Sequence, residues 1–333
     1  MFADFQAYAA SVKPGIETAL CDCLTTLPGV VGLPGSAETG PCLRGGKNIR
    51  GALLCLVVEV LGGSPEAALP RAVAVEQIQA ASLIHDDFVD QHRTRRQRPA
   101  LWILEGPRRA VLLGDVLFSS AIHMMSELGR EDCRIVAQAI AELSRGAYHE
   151  PLDPAALLAK LDEGGVGAVG YEQVIALKTG ILFAAACELG AVAAGAEPSM
   201  QQRWRRYGQQ IGEAYQLADD LQEMVQALDK AVLSAADLID LVPPLLFFVP
   251  QSGPAVRRAL RRQSAERPGE LGPHIQAAVG LMQKARQRRL RAAVAELDGM
   301  LQGGPLLQLA RRTPRDLIGM FDATAFPAAD CAG

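Results

Sequence analysis

Two acidic clusters stand in apolar, alanine-rich surroundings, and any fold of this chain must give them a reason to be there. The first, Asp86-Asp87-Phe88-Val89-Asp90, follows Ala81-Ser82-Leu83-Ile84-His85; the second, Asp219-Asp220-Leu221-Gln222-Glu223, follows Tyr215, Leu217 and Ala218. Residues four apart share a helix face. Asp86 and Asp90 therefore project together with Asp87 alongside, and Asp219 and Glu223 repeat the spacing around Asp220. Charges in such surroundings are costly unless paired or metal-bound. Two acidic faces turned towards each other make an oxygen-only site for several hard divalent cations. Mg²⁺ keeps part of its water and bridges carboxylates to phosphates, so the pattern points to metal and diphosphate chemistry. His85 is turned from Asp86 by about 100° and reads as structural.

Composition narrows the classes. Hydrophobic residues make up 49% of the 333, aromatic ones only 5%. Alanine and leucine dominate, and both are strong helix formers. The net charge is −4, and the basic stretches 203–206, 257–262 and 286–291 are separate, which argues against generic nucleic-acid binding. Seven scattered cysteines, at 21, 23, 42, 55, 133, 187 and 331, form no paired zinc pattern and suit a reduced, cytoplasmic protein. Met1 to Ala10 lacks the layout of a signal peptide. The most membrane-like segment, Gly180 to Ala196, is interrupted by Glu188 and shorter than the roughly 20 residues of a span. It is expected to be a core helix, with no transmembrane segment in the chain.

Helical periodicity covers Phe2 to Leu27 within an N-terminal helix of 1–27, and a Gly/Pro-rich loop from Pro28 to Gly46 ends it. Further helices are expected over about 48–62, 68–92, 109–128, 131–150, 171–194 and 199–228. Gly62-Gly63-Ser64-Pro65, Pro151 with Pro154, and Gly164 to Gly170 are the breaks. After Pro243-Pro244 the pattern resumes near 254–265, 270–301 and 305–312, with a frayed tail over 325–333. Strand-like alternation is nowhere convincing. The expectation is one all-α domain over 1–333, a helical bundle around a central cavity with its core over 45–320.

From about residue 40 to 250 the chain resembles the trans-isoprenyl diphosphate synthases of the polyprenyl synthetase family. Gly45-Gly46-Lys47-Asn48-Ile49-Arg50 is similar to that family's G-G-K-x-x-R segment. Ser82 to Asp90, followed by Arg95-Arg96, resembles its first aspartate-rich motif and arginine pair. Gly114-Asp115, Lys178-Thr179 and Gly212-x-x-x-Gln216-x-x-Asp219-Asp220 follow in the family's order. The resemblance implies Mg²⁺, three ions with Mn²⁺ as a substitute, held by Asp86, Asp87, Asp90, Asp219, Asp220 and Glu223. It implies an allylic diphosphate gripped by Arg95 and Lys178, and isopentenyl diphosphate held without metal by Lys47, Arg50, Arg96 and Gln79. The main chain near Lys178 and Thr179 and the amide of Gln216 would face the developing carbocation. A homodimer is the implied assembly.

This chain also departs from the family's pattern. Its second motif ends in Glu223, Arg95-Arg96 is followed by Gln97 rather than glycine, and Gly51 stands where proline is usual. Met224 to Asp240 offers only Lys230, with no Gly-Lys before Pro244-Leu245-Leu246. In this fold the product grows down the helix carrying Asp86, at about 5.4 Å per turn. Ala81 and Ser82 are small at the first possible floor, with Ile78 and Gln77 a turn deeper and Phe118, Met124 or Met125 on a neighbouring helix. Geranylgeranyl diphosphate, C20, is the expected product. A non-catalytic or weakly active partner subunit and a class I terpene cyclase are the alternatives. The cyclase would not need Lys47, Arg50 and Arg96.

Overall fold

Prolines and glycines mark where many of the helices begin and end. In the computed structural model, which describes residues 2–31, 45–150, 153–164, 170–266, 270–300 and 304–325, α1 runs Phe5–Val31, α2 Ile49–Val60 and α3 Pro65–Val89. Ser64 caps α3 by accepting from the Ala67 N–H, and Pro65 sits in the first turn, where its missing N–H costs nothing. A small hairpin (β1 Thr94–Arg95, β2 Arg98–Pro99) and the single turn α4 Leu101–Leu104 lead to α5 Pro107–Leu128 and α6 Arg130–His149. Then come α7 Pro154–Gly164, α8 Tyr171–Ala193 and α9 Pro198–Asp229. The chain continues through β3 Val232–Leu233, α10 Ala235–Phe248, α11 Gly253–Arg262, β4 Ala265–Glu266, α12 Gly272–Ala295 and α13 Pro305–Ala325. Both strand pairs are two residues long and antiparallel. The fold is all-α.

Several boundaries differ from the sequence reading, and most involve proline. Helix α1 continues through Pro28 to Val31, Pro154 opens α7 rather than breaking a helix, and α13 runs through Pro314 to Ala325. Helix α10 passes straight through Pro243 and Pro244. Each interior proline costs about 3 kcal/mol. Against that, Leu238, Leu241, Val242, Leu245 and Leu246 are all buried, at about 1.5–3 kcal/mol per side chain. Packing wins. Residues 32–44 of the expected loop, most of the glycine-rich stretch (165–169), the tail beyond 325, Cys42 and Cys331 lie outside the described residues. Cys21, Cys23, Cys55, Cys133 and Cys187 form no disulfide.

Helix α9 ties the interior together. Its first half, with Trp204, Tyr207 and Ile211, joins the large core built on α2, α3, α5, α6 and α8. Its second half, with Leu217, Leu221, Met224 and Ala227, joins a second core under α10, α11 and α12. Helices α5 and α8 are both long and apolar enough to cross a membrane. Helix α8 is mostly buried, and its Glu188 is held by Arg134 at 3.2 Å and Arg205 at 2.5 Å. That double pairing explains how a carboxylate only 1% exposed survives in the core. Helix α5 is mostly uncovered.

Candidate active site

A cavity of about 750 Å³ opens between α2, α3, α8, α9 and α10, and both acidic clusters line it. Asp86 and Asp90 come from the end of α3; Asp219, Asp220 and Glu223 come from α9. Their carboxylates are starved of water. Burial pushes Asp86 up to about 6, with Lys178 opposing and Asp90 and Glu150 adding to it. Burial also raises Asp219 against the pull of Lys47, and lifts Asp220 to about 7. Glu223 rises to about 8 through burial and the nearby Asp240. Perturbed acids gathered in a cleft are a signature of function.

Asp87 does not belong to this group. It is one residue on from Asp86, hence turned by about 100°, and lies buried outside the cavity wall. Arg95 clamps it, with Nε 2.7 and 2.8 Å from the two carboxylate oxygens and Nη2 at 2.6 Å. The sequence reading counted Asp87 among the metal ligands; in this structure it is the buried counterion of Arg95. Arg95 lines the cavity while its Nε and Nη2 hold Asp87. His85 is structural, as its angle implied. Its Nε2 lies 3.0 Å from the Val111 carbonyl, its ring meets Phe118 edge-on, and Gly114 leaves room for it.

Lys178 and Thr179 sit in a π-helical turn, Ile175–Gly180, inside α8. Such turns insert an extra residue and recur at functional sites. Glycines on both sides let the neighbouring backbones reach it. A Cβ on Gly146 of α6 would lie 3.0 Å from the Lys178 nitrogen, and one on Gly212 of α9 would lie 2.7 Å from Gly180 Cα. From this turn a polar chain runs to the second cluster. Thr179 Oγ1 donates to Gln216 Oε1 at 2.6 Å, and Gln216 Nε2 donates to Asp220 at 2.8 Å. The Tyr171 hydroxyl donates to the other Asp220 oxygen. Asp220 is thus fixed in place from two sides.

The cations gather on the α2 side. Lys47, Asn48, Arg50, Arg96 and Gln79 all line the cavity. Arg50 stacks over Phe183 with its guanidinium carbon 4.4 Å from the ring centroid, and burial lowers its pKa against the pull of Glu76. The buried Arg50 Nε and Asn48 Nδ2 have no hydrogen-bond partner. Two buried donors without acceptors suit an anionic ligand. Arg96 is delivered by the β1–β2 turn, in which Arg96 (φ 51°) and Gln97 (φ 62°) are both left-handed. A non-glycine residue there costs about 1–2 kcal/mol, partly offset by the flexibility that glycine adds to the unfolded chain. Gln97→Gly should therefore raise stability by about 0.5–1 kcal/mol, read as a higher melting temperature. A lower melting temperature would show that the Gln97 side chain contributes something that the strained turn conceals.

Of the three chain-length candidates, only Ser82 reaches the cavity wall; Ala81 and Ile78 are fully buried elsewhere. Relative to Asp86, Ser82 is turned by about 40° and Gln79 by about 20°, but Ile78 by about 80° and Ala81 by about 140°. Sequence reasoning also missed several lining residues, among them Tyr171, Asp240 and Glu150. Tyr171 opens α8, Asp240 sits in α10, and Glu150 ends α6 with its carboxylate on Lys178. None belongs to a spaced motif, so only the tertiary fold brings them in. Lys230, the cation noted after Glu223, is paired with Asp237 and does not line the cavity.

The donor set suits a hard divalent ion, since every candidate atom is a carboxylate oxygen. Among the described residues no three His, Cys, Asp or Glu side chains converge closely enough to hold an ion alone. That is the arrangement Mg²⁺ takes when substrate phosphate completes its shell. The description of the polyprenyl synthetase family matches residues 40–242. A geranylfarnesyl diphosphate synthase of Methanosarcina mazei is 36% identical over 188 residues, covering 56% of this chain and 61% of the relative. A (2E,6E)-farnesyl diphosphate synthase of Mycobacterium tuberculosis is 37% identical over 180 residues, covering 53% and 48%. The chain thus spans less than two thirds of the length of these relatives. The fold is similar to that of a Caulobacter crescentus polyprenyl synthase solved with calcium and isoprenyl diphosphate, with a TM-score of 0.72, 25% identity and coverage of 93% and 95%. With the motifs, the cavity and the matched segment in agreement, this chain belongs to the polyprenyl synthetase family.

Proposed function

We propose that the protein is a Mg²⁺-dependent trans-prenyltransferase that condenses isopentenyl diphosphate with an allylic diphosphate. The observation that carries this reading is one cavity with two acidic walls and a separate cationic wall. Asp86 and Asp90 would hold metal on one side of the allylic diphosphate, with Asp219, Asp220 and Glu223 on the other. Three ions are proposed. Bound divalent cations would supply Lewis-acid stabilisation of the departing charge. Lys47, Arg50 and Arg96, with Asn48 and Gln79, would hold the second diphosphate by fixed charge and hydrogen bonds. In the reaction the allylic C–O bond breaks with its electron pair leaving on pyrophosphate. The homoallylic double bond then forms the new C–C bond, and the adduct loses a proton to restore an alkene. The Thr179–Gln216–Asp220 chain would keep the amide and the π-turn carbonyls oriented towards the developing cation. Incubation with both diphosphates and Mg²⁺, with product mass as readout, tests the proposal. Release of a cyclic hydrocarbon would favour a cyclase instead, and no turnover would favour a partner subunit.

We propose a C20 product, because the α3 side chain that reaches the cavity wall one turn before Asp86 is the small Ser82 rather than an aromatic one. Ser82→Phe should shift product towards C15 or C10 while first condensation persists. A destabilised variant with unchanged products would remove Ser82 from the elongation path, since overpacking alone costs about 1–3 kcal/mol. The continuity of α9 across both cores supports a single domain. The uncovered apolar face of α5, with Leu112 and Leu128 exposed, supports a homodimer formed on that helix. A cytoplasmic location is part of the same proposal and rests on the sequence alone.

A further inference from the structure

Lys178 does not wait in the cavity as an open cation. Its ammonium is paired with Glu150, the residue that ends α6, at 2.5 Å, and both side chains are only partly exposed. Glu150 also lies where the two acidic clusters meet. Its charge is felt by Asp86 of the first, by Asp220 of the second and by Asp240 on α10. For Lys178, burial works to lower the pKa, but the Asp86 and Glu150 carboxylates outweigh it and hold the ammonium charged. An incoming diphosphate that uses Lys178 must therefore compete with Glu150 for it, and meets that carboxylate's charge as it does so. A half-buried carboxylate stripped of its partner is costly, and this one would be left among other carboxylates. Divalent cations held by the acidic walls would offset that cost, because they would neutralise the carboxylates around Glu150.

We infer that Glu150 is a positioning residue that keeps Lys178 engaged until metal arrives, and so couples metal binding to diphosphate binding. The inference rests on the proposed use of this cavity for diphosphate. Coupling between two ligands is reciprocal and is commonly 5- to 150-fold. It is measured as the ratio of pyrophosphate dissociation constants without and with Mg²⁺.

Titration calorimetry with inorganic pyrophosphate tests the point on the whole chain. In Glu150→Gln, pyrophosphate should bind more tightly than to the unaltered protein when Mg²⁺ is absent. The gain on adding Mg²⁺ should shrink by at least about fivefold, the lower end of ordinary coupling. Glu150→Asp, which keeps the charge, should restore most of the gain. Glu142→Gln, on the same helix but beside Arg145 and outside the cavity, should leave it unchanged. Circular dichroism confirms that each variant is folded. An unchanged gain in Glu150→Gln would overturn the inference alone, as would an equal loss in Glu142→Gln, which would reduce the effect to net charge. Failure of the unaltered protein to bind pyrophosphate with Mg²⁺ would instead overturn the diphosphate reading of the cavity, and the inference with it.

Discussion

Asp86→Ala and Asp90→Ala are each expected to lower turnover by at least about 10²-fold, because several kcal/mol of charge stabilisation at the departing pyrophosphate convert at about 1.4 kcal/mol per tenfold. The helical circular dichroism should not change. Stability of the metal-free Asp86→Ala protein should rise at pH 7. The sign follows from the pKa of about 6, above the ordinary aspartate value. A carboxyl raised in the folded state stabilises it fully only below its unfolded pKa, and loses that contribution as pH climbs through the folded value. At pH 7 the charge is therefore a liability, removed by alanine. Turnover, melting temperature and circular dichroism on the same samples separate these effects. Near-normal turnover in either variant would remove the metal-site reading. Asp87→Ala serves as the contrast. It should cost stability, because it strands Arg95 beside a vacated pocket, and its loss of activity should follow that structural damage.

Gly212→Ala is the second large effect. A methyl group there would lie 2.7 Å from Gly180 Cα and 2.9 Å from a Phe183 ring carbon, so α8 and α9 must separate. Overpacking of this kind costs about 1–3 kcal/mol. The catalytic loss should be larger than the stability loss suggests. Gly180 closes the π turn that carries Lys178 and Thr179, and Gln216 lies one helical turn beyond Gly212. A displacement of about 1 Å in such a constellation can cost about 10²-fold in rate. The check is turnover well below the melting temperature together with thermal unfolding. Wild-type turnover would show that the close approach of the two helices is a matter of packing and not of geometry at the site.

The acidic clusters were legible because their chemistry and their helical spacing say the same thing. Two sets of carboxylates at i and i+4, both flanked by apolar residues, need a common partner, and the fold places them on one cavity. Helices α3, α5, α6, α8 and α9 were legible to within a few residues for a related reason, since an apolar stripe of period 3.6 ends at glycine, proline or a capping serine. Proline misled where burial outweighed it, at Pro28, at Pro243 with Pro244, and at Pro314. The division of labour within Asp86-Asp87 was readable in principle, since neighbours on a helix diverge by about 100°, but the clamp from Arg95 depends on a hairpin too short to show any alternation. The same angular argument separates Ser82 from Ala81 and Ile78. Glu150, Tyr171 and Asp240 had no local signal at all. Each stands at a helix end or on a helix side that becomes a cavity wall only when α6, α8 and α10 have packed. The π turn is of the same kind, for nothing in Ile175-Ala-Leu-Lys-Thr-Gly180 asks for an extra residue until Gly146 and Gly212 close on it from two sides.

The most direct test of the central claim, that one cavity holds a diphosphate between two metal-bearing walls, is the anomalous scattering of Mn²⁺ in crystals grown with pyrophosphate. The account predicts peaks in contact with Asp86 and Asp90 on one side of the pyrophosphate and with the Asp219, Asp220 and Glu223 group on the other. It also predicts no peak at Asp87, which stays with Arg95. Manganese confined to one cluster, or pyrophosphate bound to the cationic wall with no metal at either cluster, would contradict it.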